Sequence, residues 1–127
     1  MKATLQILAI AAFLPASAFA SGIVGYWQHE KQPAWIEIEF EGDTATAVVR
    51  HNENKPEASG FEVMKDIVAD GDTWRGQIYA EQLGEYKDMT IRLKGEDEME
   101  VKVKVGFMSR TVKWRRASEI PTDQTQE

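Results

Sequence analysis

"MEVKVKVGFMSRTVKWRR", residues 99–116, is the stretch that decides how this chain folds. Met99, Val101, Val103 and Val105 alternate with Glu100, Lys102 and Lys104. A period of two sends successive side chains to opposite faces of an extended backbone, so the segment has one dry face and one wet face. Beyond Gly106 the alternation resumes through Val112 and Trp114, and the same parity brings Arg110 to their side. If the strand is regular from residue 110, the guanidinium points inward, about 20 Å from Arg116 at roughly 3.4 Å per residue. A buried charge is costly unless it is paired, so Arg110 needs a carboxylate, water or an anionic ligand. Glu85 and Asp97 have the parity to be internal partners, and a bulge near Gly106 would instead turn Arg110 outward. The sequence alone leaves these readings open.

The same period runs outward from this stretch. "WIEIEF" (35–40) alternates Ile36, Ile38 and Phe40 against Glu37 and Glu39, and "MTIRL" (89–93) alternates Met89, Ile91 and Leu93. Such half-dry strands are the mark of antiparallel sheets. Glu41-Gly42-Asp43, Asp70-Gly71-Asp72 and Lys94-Gly95-Glu96-Asp97 supply turn residues between them. Strands are predicted near 24–29, 34–40, 44–50, 74–80, 86–94, 98–105 and 110–116. Residues 61–68, "FEVMKDIV", fit either a strand or a short helix, with the strand favoured. Ahead of them "HNENKPEASG" (51–60) is a polar connection longer than a hairpin turn needs, either a solvated linker or a cover over a site.

Seven or eight antiparallel strands must hide two sheet edges, by stacking two sheets or by curling one shut. The chain ends favour closure. Gly25-Tyr26-Trp27 stands at the start, and Trp114 and Arg116 share one face of the last strand. If those strands pair, Arg116 arrives beside Trp27, where a guanidinium over an indole contributes roughly 0.5 to 2 kcal/mol. The expected fold is all-β: a small up-and-down barrel with Gly25, Trp27, Trp114 and Arg116 as a plug at one end.

The chain begins with Lys2, an apolar run from about Leu5 to Leu14, and Ala18-Phe19-Ala20. This is the pattern of a secretory signal peptide over 1–20. The run is too short for a spanning helix. The expected organisation is a barrel over 21–117 and a disordered tail over 118–127, with a periplasmic or secreted mature protein. Its 107 residues suffice for one domain. With no cysteine in the chain, stability must come from packing, without disulfides or thiolate metal sites. The net charge is -6, and losing Lys2 makes it -7. A field of that sign repels nucleic acid and anionic membrane surfaces, and neither is expected as a partner.

Gly25-x-Trp27, with an arginine ending the last strand, resembles the closed end of lipocalins and related calycin barrels. A longer pattern is more specific: "GYW" at 25–27, "WRGQIY" at 74–79 and "VGFMSRTVKWRR" at 105–116. It resembles the exported bacterial family called domain of unknown function 2147. The match falls on Gly25, Trp27, Trp74, Gly76, Ile78, Tyr79, Gly106, Arg110, Thr111, Trp114 and Arg116. The resemblance implies the barrel and an envelope location. It implies no reaction.

Candidate ligand contacts are Arg110, Tyr79 and Tyr86, at the mouth opposite the plug. Trp35 is expected on the outer face or rim, and Arg75, Gln77 and Tyr79, which share one face of their strand, are read as outer-facing in preference to lining the mouth. His29-Glu30 and His51-x-Glu53 fit no ligand spacing of a metal site, so neither metal nor cofactor is expected. There is no nucleophile elbow or phosphate loop, and the acids fall mainly on wet faces, so an enzyme is not expected. Two functional readings follow. One is a carrier or sensor holding an amphipathic or anionic small molecule at the mouth; the other is an envelope protein-interaction or inhibitor module with a filled core.

Overall fold

The computed structural model describes residues 22–121. The signal peptide expected over 1–20 and the tail end from 122 lie outside them. Eight strands follow in chain order: β1 (Gly25–His29), β2 (Ala34–Glu41), β3 (Thr44–Asn52), β4 (Glu62–Asp70), β5 (Thr73–Ala80), β6 (Glu85–Lys94), β7 (Glu98–Val105) and β8 (Met108–Ala117). Each pairs antiparallel with its sequence neighbour, and β8 returns to β1, giving a closed up-and-down barrel. One short 3-10 turn, Pro56–Ala58, lies in the long connection before β4, and of the ambiguous stretch 61–68 residues 62–68 are strand, Phe61 standing just ahead of it.

Alternation fills the interior. Ile36 and Ile38 of β2, Ala45 and Ala47 of β3, Ile91 of β6 and Val101 of β7 are all fully or almost fully buried. Trp27, Trp74, Met64 and Met99 occupy the space between them. An eight-stranded barrel is just wide enough for its own side chains or for one small ligand. Here side chains fill most of the length.

Irregularities in the ladders were not visible in the periodicity, and two of them bend the wall. Between Lys65 and Val68 two residues of β4 oppose the single Gly76 of β5, and Asp66 in this bulge has φ 53°. Arg50 is an extra residue in β3, where the register shifts between Trp35 and Ile36. Bulges of this kind sharpen local bending and help a sheet curl shut. A side chain at Gly76 would stand 2.8 Å from the Lys65 carbonyl oxygen and 3.0 Å from Ile67 Cα. Glycine is what allows the bulged strand to come this close.

At one end Arg116 lies over the Trp27 ring, its guanidinium carbon 4.3 Å from the centroid. It donates to the carbonyls of Gly22 (2.9 Å), Val24 (3.1 Å) and Glu96 (2.7 Å). The Trp27 indole donates to the Ile23 carbonyl at 2.9 Å. Ile23, fully buried, is thus strapped across the end of the barrel. Gly25 has φ 132°, and a Cβ there would meet the Arg116 guanidinium at 3.2 Å. Trp114 does not join this stack. It pairs with His29, one inward position nearer the other end.

Candidate functional site

The end opposite the Trp27–Arg116 stack is open, and Arg110 sits in it. β7 and β8 are joined by the two residues Gly106 and Phe107, with Val105 directly opposite Met108. Gly106 has φ 66°, which suits the first position of a tight hairpin turn. Because this turn closes without a bulge, alternation runs unbroken through Met108, Arg110, Val112 and Trp114 on the inner face. The outward-turning alternative for Arg110 is therefore not realised.

Arg110 borders a half-open cavity of about 440 Å³. Ile78 and Ala80 of β5, Val103 and Val105 of β7, and Val112 of β8 form its aliphatic walls, and Gln32 reaches it from the β1–β2 loop. Leu83 and Met108 stand at the lip, 48% and 63% exposed. Arg110 itself is exposed, so its charge is hydrated at the mouth rather than sealed in the core. Among the described residues it has no ion-pair partner. The two carboxylates with suitable parity are engaged elsewhere or distant: Glu85 holds Lys87 at 3.0 Å, and Asp97 lies in the turn at the closed end. At the rim Lys55, from the long β3–β4 connection, is bonded to Glu81 of the β5–β6 turn.

The two tyrosines share the outer face, the side that parity predicts for Tyr79 beside Arg75 and Gln77. Tyr79 borders the cavity, but its ring packs edge-on against Phe61 and Tyr86, at 5.1 and 5.3 Å. Tyr86 is turned to the outer wall, where its hydroxyl donates to the Glu62 carbonyl at 2.7 Å and Lys65 lies over its ring. Desolvation, with the Glu62 carboxylate near by, raises its pKa. The cause is parity: Tyr79 alternates with Ile78, and Tyr86 is directly opposite Tyr79. Tyr86 is therefore not a wall of the mouth.

His29 is an inner-face residue that sequence reasoning passed over. It shares the parity of Trp27 and packs edge-to-face on Trp114, ring centroids 4.9 Å apart. Its Nδ1 accepts from the Lys31 backbone N–H at 3.0 Å, so the proton of the neutral ring is on Nε2. Burial lowers its pKa; nearby Glu30 opposes the shift and Lys31 adds to it. His51 lies on the outer wall against Trp35, 5.3 Å between ring centroids. The two histidines therefore face opposite sides of the sheet.

A second hollow, about 420 Å³, lies on the outer wall among Arg75, Gln77, Asp88, Lys102 and Lys104. Arg75 is paired with Asp70 at 2.8 Å, and the remaining charges are of mixed sign. Val68 and Met89 add apolar surface to it.

A family model described as "Uncharacterized protein conserved in bacteria (DUF2147)" matches residues 25–116. Among solved structures, protein HP1028 from the human pathogen Helicobacter pylori, described as belonging to the lipocalin family, is similar with a TM-score of 0.58. It shares 15% identity, and the alignment covers 76% of this chain and 84% of that one, a likeness of fold. No curated protein matches.

Proposed function

We propose that this chain, which belongs to the DUF2147 family of proteins conserved in bacteria, is an exported binding protein that takes a small amphipathic anion into the open end of its barrel. The observation that carries this reading is Arg110: a guanidinium on the inner face, beside aliphatic walls, with no carboxylate partner among the described residues. A guanidinium cannot give up its proton, so it is built to grip an anion rather than to shuttle protons. Glu81 on the rim is already held by Lys55. The volume, about 440 Å³, falls within the range of small-molecule pockets. Residues 1–20 support export by their signal-peptide pattern.

A second reading has its own support. The interior below the mouth is filled, and Phe107, 98% exposed at the β7–β8 tip, could serve an envelope protein partner instead of a small ligand. Native mass spectrometry of protein recovered from the cell envelope separates the two. A bound small molecule, lost on Arg110→Gln, is the expected result. Bare mass for both proteins, with a co-purifying protein lost on Phe107→Ser, would favour the interaction module.

A further inference from the structure

Charge is spread unevenly along the barrel axis. The closed end carries Glu41, Asp43, Asp72, Glu96 and Asp97 in or beside its turns. The β7–β8 hairpin is the reverse: between Glu100 and Glu119 the chain has no carboxylate, while Lys102, Lys104, Arg110 and Lys113 are all exposed. Lys102 and Lys104 share the outer hollow with Asp66 and Asp88, yet neither ammonium group is paired among the described residues. At the hairpin tip Phe107 and Met108 are exposed side by side, and Leu83 of the β5–β6 turn stands at the same lip. The acids nearest Leu83 are already held, Glu81 by Lys55 and Glu85 by Lys87. Glu30 is followed by Lys31, and Glu53 and Glu57 lie in the β3–β4 connection, across the mouth from this hairpin.

Large apolar side chains grouped at one lip mark a contact surface, and the cations behind them fix the sign of what is contacted. We infer that the β7–β8 corner of the mouth docks on a bilayer bearing anionic headgroups. Phe107 and Met108 enter the interface with Leu83 beside them, and Lys102 and Lys104 lie against lipid phosphates. Apolar burial and the attraction of each cation then add, as they do for other proteins that rest on a membrane without crossing it. The repulsion expected from the net charge of -6 acts only at a distance. At physiological salt a charge is screened within about 8 Å. Strands β7 and β8, eight and ten residues long, hold the acidic closed end about 20 to 25 Å from the tip. The same asymmetry turns the mouth toward the membrane and tilts the barrel onto its β7–β8 wall, which lifts Glu53 and Glu57 away. Docking in this way does not depend on a small molecule in the mouth.

Co-sedimentation of the mature chain with vesicles tests the docking. Vesicles of equal parts phosphatidylglycerol and phosphatidylcholine are expected to bind it, and vesicles of phosphatidylcholine alone are not. Phe107→Ser and the double variant Lys102→Gln/Lys104→Gln are each expected to weaken binding about tenfold or more, and added salt to weaken it further. Binding by the double variant equal to that of the native chain would overturn the role of the lysines and with it the proposal. Failure to bind the anionic vesicles would overturn it too, and would leave the exposed tip to a protein partner. Because the chain has no cysteine, a single one can be labelled to report the orientation. A nitrobenzoxadiazole on Phe107→Cys is expected to brighten with the anionic vesicles, and the same label on Asp43→Cys, at the closed end, to stay unchanged. Equal brightening at both positions would overturn docking through this corner.

Discussion

The Arg116 guanidinium lies over the Trp27 ring at 4.3 Å, joining the last strand of the barrel to the first. The same side chain donates to three backbone carbonyls at the barrel's end, those of Gly22, Val24 and Glu96. Arg116→Ala removes all of these contacts at once and is expected to cost about 2 to 4 kcal/mol. Arg116→Lys keeps the charge but not the planar fork, so it recovers only part of the loss. The urea midpoint followed by tryptophan fluorescence measures both. A midpoint unchanged in Arg116→Ala would mean that the stack does not hold the barrel shut.

Gly76 is fixed by its neighbours rather than by its own backbone angles. Any Cβ there meets the Lys65 carbonyl at 2.8 Å and Ile67 Cα at 3.0 Å, both on the bulged strand β4. Backbone cannot step aside as a flexible side chain could. Gly76→Ala is expected to destabilise by about 1 to 3 kcal/mol, read by thermal or urea unfolding. Stability equal to the native chain would show that the bulge at Asp66 yields easily.

His29 makes stability depend on mild acid. Burial depresses its pKa below the usual 6.5, so between the two values the unfolded chain binds more protons than the folded one. Its contribution is therefore fully present above about pH 6.5 and is lost as pH falls through the folded value. Glu30 softens the effect and Lys31 strengthens it. His29→Gln is expected to flatten the stability profile just below pH 6.5, measured by urea unfolding at stepped pH. Identical profiles for the two proteins would rule out this origin.

Phe107, 98% exposed, buries almost nothing in the free barrel. Phe107→Ser is expected to leave the unfolding midpoint unchanged within about 0.5 kcal/mol. Urea unfolding of the two proteins makes the comparison, and a midpoint lowered in Phe107→Ser would show that the ring packs on the barrel.

Much of this was legible in the sequence because a barrel wall is read two residues at a time. The alternation in 99–105 and 110–114 placed Val103, Val112 and Arg110 on one face, and the turn glycines marked where strands end. Closure could be read from Trp27 and Arg116 because the two side chains need each other. His29 carried the same parity as Trp27, yet it was weighed as a metal ligand and not as an inner-wall residue. The bulges at Arg50 and Asp66 left no trace in the periodicity, since one extra residue is invisible until its partner strand is known. Tyr86 was misplaced because nearness to the mouth was weighed above its pairing with outward Tyr79. Depth of filling was out of reach as well: Met64, Trp74 and Met99 meet in the middle only through long-range pairing.

Arg110 is the residue on which the binding reading turns, and Arg110→Leu separates function from stability. An unpaired guanidinium at the mouth adds nothing to folding, so the leucine variant should unfold at a temperature equal to or above that of the native barrel. Thermal unfolding of both proteins with and without excess decanoate is the most direct measurement. Decanoate is expected to raise the native melting temperature and leave that of Arg110→Leu where it was. A variant that melts lower than the native chain, yet is still stabilised by decanoate to the same extent, would make Arg110 a structural residue and contradict the assignment of the mouth.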